Sequence, residues 1–260
     1  MKIKFTFLII LFISTALVIN SCKSFFGKKN QLKFDKVYVV DTTGFNYMFV
    51  TNSNGNVKVY TAPSDSVIRI RVFGILDSKP KDSLDFPSFY RFDTVSSTIN
   101  ISEPVWEKKM FSFSFKKNEV NFEISIPSPL KLHIDNKNGN IEVENFAGSI
   151  TAQTINGSIQ ITGISGATFA RTTNGKIQAE IDSITTCTFT TVNGKIELAL
   201  SSHFSGKVIA SYVNGKVVNK DVVFDKVESD RNRYFGVRGT SNAEVNLETV
   251  NGKIYIRQKL

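Results

Sequence analysis

The sequence has few cysteines and histidines, the residues that form disulfides and bind metal ions, and it also has few tryptophans and prolines. It contains two cysteines, two histidines, one tryptophan and six prolines in 260 residues. Two histidines, His133 and His203, are too few for a His-rich metal site, and two cysteines are too few for a disulfide framework. Helix signals are also nearly absent, because Val, Ile, Thr, Phe and Tyr alternate with polar residues almost throughout. These absences predict an all-β chain without a metal or cofactor.

The longest apolar run lies at the N-terminus. Lysines at positions 2 and 4 precede the apolar stretch 5–19, and small or polar residues then lead to Cys22, an order typical of a secretion signal. The last four positions, INSC, resemble the lipobox of bacterial lipoproteins. That resemblance implies cleavage of residues 1–21 and lipidation of Cys22, which would tether the chain to a membrane. The alternatives are a plain signal peptide and a single membrane helix, but the run is shorter than the roughly 20 residues that a spanning helix needs.

Charge is spread evenly along the chain after residue 21. The whole chain carries a net charge of +9, and two of its lysines lie in the signal. Such an even distribution is unlike the basic face of a nucleic-acid-binding protein, so no nucleic-acid partner is predicted. Residues 22–33 form a basic tether that lies either against anionic lipid head groups or free in solution. Residues 34–130 are predicted as an irregular β half, and residues 131–260 as a repeat region.

The dipeptide Asn-Gly recurs through the second half with a nearly constant step. The asparagines are separated by 18, 18, 19, 21 and 37 residues, at Asn138, Asn156, Asn174, Asn193, Asn214 and Asn251. A constant period near 20 indicates a stacked repeat architecture. The 37-residue step is close to two periods and predicts a degenerate coil near Asn232, where the surrounding sequence ESDRNRYFGVRG indicates an inserted loop.

Each repeat reads as two short strands that share one buried face. Positions six and four before the Asn, and three and five after it, are mostly apolar, while the positions between them are polar. Asn-Gly would form the corner, because both residues tolerate positive φ. We therefore predict a β-solenoid, similar to a single-stranded β-helix, with coils of about 18–20 residues and an irregular β half before them. The alternative is an antiparallel sheet of tandem hairpins, since Asn-Gly is also a hairpin signal.

The segment FEISIPSPLKLHIDNKNGNIEVENFAGSITAQTINGSIQITGISG resembles the bacterial "putative adhesin" domain, a family of unknown biochemical function. Its pattern is an entry strand ending in Ile-Pro, followed by Asn-Gly-x-Ile units that each close with a glycine-containing turn, and the terminal ETVNGKIYI fits the same pattern. The resemblance implies a β-solenoid-like fold and a cell-envelope location. It brings no catalytic motif, so it assigns no catalytic residue.

Possible catalytic groups are few. Glu142 and Glu144 lie two residues apart on one predicted strand, about 7 Å from each other by strand rise, which suits an inverting glycosidase pair. However, strand alternation alone places polar residues there, and no third acid accompanies them. Cys187 occupies an inward column and is expected to be a small core residue. The sequence therefore predicts a protein that is not an enzyme.

The position two residues after each Asn is the candidate binding site. It reads Asn140, Ser158, Lys176, Lys195, Lys216 and Lys253 in chain order. In a solenoid Lys176, Lys195 and Lys216 would stack on successive coils, where like charges repel, and a bound polyanion would offset that repulsion. The simpler interpretation is a solvated edge whose lysines prevent aggregation.

Two functional classes follow from the sequence. The first is a non-enzymatic, lipid-anchored binding or adhesion module that contacts an anionic glycan or lipid. The second is a structural or regulatory envelope-stress protein that acts through a protein partner. The residues after Cys22, KSFFGKKN, contain no acid, which favours an outer-membrane protein facing the periplasm over one exposed at the cell surface.

Overall fold

The computed structural model describes residues 31–41, 44–62, 67–77, 90–93, 97–102, 118–127, 130–181 and 186–259. The signal segment, Cys22 and most of the predicted tether lie outside these ranges. The described residues form nineteen strands and no helix: β1 (Gln31–Asp41), β2 (Tyr47–Asn54), β3 (Val57–Thr61), β4 (Val67–Asp77), β5 (Tyr90–Asp93), β6 (Thr98–Ser102), β7 (Glu119–Ile126), β8 (Lys131–Asn138), β9 (Ile141–Glu144), β10 (Ile150–Asn156), β11 (Ile159–Ile164), β12 (Thr168–Asn174), β13 (Ile177–Ile181), β14 (Thr186–Asn193), β15 (Ile196–Leu200), β16 (Gly206–Lys220), β17 (Lys226–Asp230), β18 (Arg233–Arg238) and β19 (Glu244–Gln258).

Each Asn-Gly repeat forms one layer of a solenoid with two walls. The strand before the Asn lies in the first wall, and the strand after the Gly lies in the second. Strand β10 pairs in parallel with β8 and β12, with Asn156 opposite Asn138 and Asn174. Strand β11 pairs in parallel with β9 and β13. The predicted solenoid is therefore confirmed, and the tandem-hairpin alternative is wrong because successive strands pair with neighbouring layers.

The stack continues into the first half of the chain. Strands β2 and β3 form a layer on β8 and β9, with Asn54 opposite Asn138. Strands β6 and β7 pair in parallel with β2 and β3 and add one further layer. Beyond them the pairing becomes antiparallel, with β5 on β6 in the first wall and β4 then β1 on β7 in the second. Antiparallel strands therefore close this end of the stack.

The last two repeats stack in the reverse of their chain order. Strand β19 pairs in parallel with β14 and β15, and β16 then pairs with β19. Residues 226–238 form the antiparallel hairpin β17–β18, which pairs with the first part of β16. The prediction of a degenerate coil near Asn232 is wrong, since the 37-residue step contains this hairpin.

Side-chain polarity explains why β19 takes the inner layer. Five residues after its Asn, β19 places Ile256 in the core, whereas β16 has Asn219 at the equivalent position. An amide in an inner layer would be buried among aliphatic side chains without a partner, which is costly. At the end of the stack the Asn219 amide donates to the carbonyl oxygen of Val222 at 2.8 Å and accepts from its N–H at 3.3 Å. Asn219 thus terminates the core.

A column of buried threonine hydroxyls connects adjacent layers through hydrogen bonds. The threonine two residues before each inner Asn donates a hydrogen bond to the carbonyl oxygen of a corner glycine in the adjacent layer, at 2.9–3.3 Å. The pairs are Thr154 with Gly139, Thr172 with Gly157, Thr191 with Gly175 and Thr249 with Gly194. The Asn136 amide makes the equivalent bond to Gly55 at 2.9 Å. The four buried threonine hydroxyls are hydrogen-bonded, so their burial costs little and they fix the layer spacing, whereas the Oδ1 of Asn136 is buried without a partner.

The corner glycines are required mainly by close stacking. A Cβ on Gly157 would lie 2.0 Å from the carbonyl oxygen of Gly139, and one on Gly175 would lie 1.9 Å from that of Gly157. Positive φ was the expected reason, but among the seven corner glycines only Gly55 and Gly139 have it, at 127° and 140°. No corner asparagine has positive φ. Close contact between corner backbones, rather than turn conformation, excludes other residues.

The corner asparagines form one continuous ladder of side-chain amides. Each Nδ2 donates to the Oδ1 of the asparagine in the adjacent layer at 2.8–2.9 Å. In spatial order the ladder runs through Asn54, Asn138, Asn156, Asn174, Asn193, Asn251 and Asn214. Each inner asparagine both donates and accepts a hydrogen bond. The ladder is therefore continuous only if every layer has asparagine at this position.

Replacing Gly175 with Ala tests the close stacking at the corner. The new Cβ would overlap the Gly157 carbonyl, so the layers must separate locally and the free energy of unfolding should fall by about 3 kcal/mol. Urea unfolding followed by circular dichroism measures this loss. The adjacent substitution Thr173→Ala is the control and should cost less than about 1 kcal/mol. Equal midpoints for the two variants would contradict the stacking argument.

Replacing ladder asparagines separates inner from terminal positions. Asn174→Ala removes one donated and one accepted hydrogen bond, whereas Asn214→Ala removes only a donated one. We expect Asn174→Ala to cost about 1–2 kcal/mol and Asn214→Ala about half as much, as measured by urea unfolding. A larger loss for Asn214→Ala would argue against a cooperative ladder.

Candidate functional site

The predicted lysine positions meet at one end of the second wall. Each lies two residues after a corner Asn, where the chain turns from the ladder into the second-wall strand. Register places Lys176 beside Lys195, Lys195 beside Lys253, and Lys253 opposite Lys216. The expected succession of Lys176, Lys195 and Lys216 is therefore wrong, because the inserted β19 places Lys253 between the last two. The result is a continuous lysine column of four layers, which spans about 14 Å at the spacing of adjacent strands.

The first two lysines of the column share an acid. Lys195 Nζ lies 2.6 Å from Glu197, and Lys176 Nζ lies 3.8 Å from the same carboxylate. Partial burial acts to raise the pKa of Glu197, but the hydrogen bond from Lys195 and the nearby positive charges outweigh it, so this pKa is lowered. The same hydrogen bond raises the pKa of Lys195. One carboxylate between two lysines neutralises this half of the column only in part.

The last two lysines have no such acid. Lys253 and Lys216 are exposed, and no carboxylate of the described residues lies within 4 Å of either ammonium group. Beside them Lys220 lies over the Tyr255 ring, 5.7 Å from its centroid. Sequence reasoning missed Lys220, although its place two strand positions beyond Val218 puts it on the same outer face. The outer surface of the second wall is therefore most basic where the stack ends at β16.

The column is neutral at its other end. Asn140 and Ser158 occupy the equivalent positions on earlier layers, and Asn56 does so on the layer of β2 and β3. The Asn140 side chain accepts a hydrogen bond from the Ser158 N–H at 2.9 Å, and Asn56 accepts one from the Asn140 N–H at 2.9 Å. Here the side chains bind the adjacent backbone, so only the lysine layers present free charge.

The acid pair considered for catalysis is held in ion pairs. Lys58 Nζ lies 3.4 Å from Glu142 and 3.0 Å from Glu144. The hydrogen bond from Lys58 lowers the pKa of Glu144, which works against a role as a general acid. In the described ranges no group of three or more His, Cys, Asp or Glu residues is arranged to hold a metal ion. No helix in those ranges is long and apolar enough to cross a membrane.

Cys187 lies in the core, as its column indicates. Its side chain is fully buried, and burial raises the pKa of its thiol to about 11 despite hydrogen bonding with Thr168. The thiol is therefore protonated at neutral pH and is a poor nucleophile.

The burial of Cys187 predicts a simple labelling result. In residues 22–260 carrying Cys22→Ser, a thiol reagent at pH 8 should leave Cys187 unmodified while the chain is folded. One equivalent should react after unfolding in guanidinium, as measured by mass spectrometry. Rapid labelling of the folded chain would show that the core opens at this layer.

One family model matches most of the Asn-Gly repeat region. Residues 149–257 match the family model described as Toastrack DUF4097. No curated protein matches the chain.

Three solved structures of bacterial proteins are similar to this chain over most of its length. A putative cell adhesion protein from Clostridium sporogenes has 15% identity and a TM-score of 0.49, over 88% of this chain and 100% of that one. A putative adhesin from Bacteroides fragilis has 12% identity and a TM-score of 0.34, over 89% and 98%. One from Parabacteroides merdae has 9% identity and a TM-score of 0.24, over 87% and 96%.

The matched family is a domain of unknown function. The resemblance read from the Asn-Gly units is thereby confirmed for residues 149–257, the part of the repeat region that is similar to the Toastrack DUF4097 model.

Proposed function

We propose that this protein is a non-enzymatic envelope module, tethered through lipid on Cys22, that binds a polyanion along the lysine column. One observation carries the proposal: lysines occupy four consecutive layers, and the two at the end of the stack, Lys253 and Lys216, lack an acidic partner among the described residues. The expected ligand is a carboxylated or phosphorylated glycan or an anionic lipid head group.

Electrostatic repulsion supports a charged ligand. Adjacent strands lie about 4.8 Å apart, and like charges directly opposite each other on neighbouring strands are unfavourable. Glu197 relieves this repulsion for Lys176 and Lys195, but Lys216 and Lys253 are relieved only by solvent and counter-ions. A linear polyanion lying along the column would replace those counter-ions and gain their release.

The tether is short enough to keep the domain near its membrane. Strand β1 begins at Gln31, nine positions after Cys22, and a fully extended chain of that length reaches about 30 Å. The acid-free sequence after Cys22 favours the periplasmic side of the outer membrane. Protease treatment of intact cells tests the alternative, since only a surface-exposed domain would be digested.

Neutralising the unpaired lysines tests the ligand. Residues 22–260 carrying Cys22→Ser should be retained on immobilised polygalacturonate, and the double change Lys216→Gln and Lys253→Gln should abolish most of that retention. A matched double change at Lys137 and Lys207, which are exposed and remote from the column, removes the same charge and should reduce retention little. Equal losses for both pairs would mean that net charge alone drives retention.

Removing the competing acid gives a change of opposite sign. Glu197→Gln releases Lys195 and Lys176, so retention should increase and elution should need more salt. Vesicles containing phosphatidylglycerol, tested with the same variants, separate a lipid ligand from a glycan. Retention that Glu197→Gln leaves unchanged would exclude these two lysines from the site.

A further inference from the structure

Exposed aromatic rings cluster on the outer face of the first wall, away from the lysine column. Tyr47 and Phe49 lie on β2 and are 36% and 38% exposed. Phe49 is opposite His133 of β8, and their ring centroids are 5.2 Å apart with a tilt of 33°. Such rings are unusual on a face that strand alternation makes polar. Tyr47, Phe49 and His133 form an exposed aromatic platform on the outer face of β2 and β8.

A groove with a single positive charge adjoins this platform. Its volume is about 540 Å³, and its lining consists of Asn46, Tyr47, Leu130, Lys131, Ala147, Gly148, Ser149 and Gly166. Lys131 Nζ lies 3.4 Å from the Tyr47 hydroxyl and 5.1 Å from the centre of its ring. None of the lining residues is acidic, so the groove favours an anionic ligand.

Layer packing explains why the groove is open. Tyr47 and Lys131 are large, whereas the equivalent positions on the next two layers are Ser149 and Ala167. Beside them a Cβ on Gly148 would lie 2.2 Å from the Leu130 carbonyl oxygen. The backbone at Gly148 therefore packs directly against the backbone of the adjacent layer. The groove is therefore built by the fold, and its floor offers backbone groups and one hydroxyl.

We propose that this platform and groove bind an acidic sugar unit of a glycan. The Phe49 and His133 rings would pack against the C–H face of the sugar, and Lys131 would pair with its carboxylate. The Ser149 hydroxyl and the Asn46 amide are the side chains of the groove that can hydrogen-bond sugar hydroxyls. His133 Nε2 lies 3.0 Å from Asp135 Oδ2, a contact that orients the ring.

The polarity of the site favours a saccharide over a protein or a lipid. The groove is open to solvent, and its lining combines the Tyr47 ring with the polar side chains of Asn46, Lys131 and Ser149. A sugar has one apolar face and a polar rim, which matches that combination. The inference does not depend on the lysine column, which lies on the other wall.

Binding of trigalacturonate, measured by isothermal titration calorimetry, tests the site. The protein is residues 22–260 with Cys22→Ser, Lys216→Gln and Lys253→Gln, so that the unpaired lysines of the column do not contribute. Phe49→Thr and Lys131→Gln should each weaken binding roughly tenfold, as expected for a central contact. Phe169→Thr is the matched control, since Phe169 occupies the same outward column three layers from Phe49 and should change affinity less than twofold.

The neutral trisaccharide of galactose should bind at least about tenfold more weakly than trigalacturonate, because it cannot pair with Lys131. Absence of trigalacturonate binding would overturn the inference, as would equal binding of the neutral sugar or unchanged affinity in Phe49→Thr. Vesicle binding that requires Phe49 without any sugar binding would also overturn it, in favour of a lipid surface. Thermal unfolding of each variant verifies that the wall is intact.

Discussion

The fold depends on the contact between corner backbones of adjacent layers. Six of the seven corner glycines lie so close to the carbonyl oxygen of the corner glycine in the adjacent layer that a methyl group would overlap it, and Gly55 lies equally close to the carbonyl oxygen of Val120. The carbonyl of a corner glycine also accepts the hydroxyl of a buried threonine at four inner layers. The asparagine beside the glycine continues the same contact on the surface through the amide ladder. Three interactions therefore converge on one backbone position, and they hold successive layers in a single register.

Because the layers share one register, equivalent residues of the repeat form continuous columns on the surface. Because equivalent residues lie directly above one another, a lysine two residues after the Asn generates a line of charge. The same geometry brings Phe49 against His133, although they are 84 positions apart in the chain. The two candidate binding surfaces thus share one origin, but they lie on opposite walls and have different chemistry.

The exchange of β16 and β19 shows how a single polar residue selects the order of layers. Both strands carry the repeat pattern, and both could pair with β14 and β15. Asn219 makes β16 unsuitable for an inner layer, while at the end of the stack its amide bonds the following turn. The exchange places Lys253 between Lys195 and Lys216 and leaves Lys216 at the end of the lysine column. A feature of core polarity therefore shapes the proposed ligand surface.

Period and alternation are local properties of the chain, so the sequence alone predicts the repeat, the inward and outward columns and the family resemblance, and it favours the solenoid over tandem hairpins. It also placed Cys187 in the core and Lys176, Lys195, Lys216 and Lys253 at one equivalent position. The three-dimensional arrangement was needed to establish which layers are neighbours, why the corners need glycine, and which lysines lack an acidic partner among the described residues. Those outcomes depend on contacts between residues far apart in the chain, and periodicity alone cannot distinguish two strands that carry the same pattern.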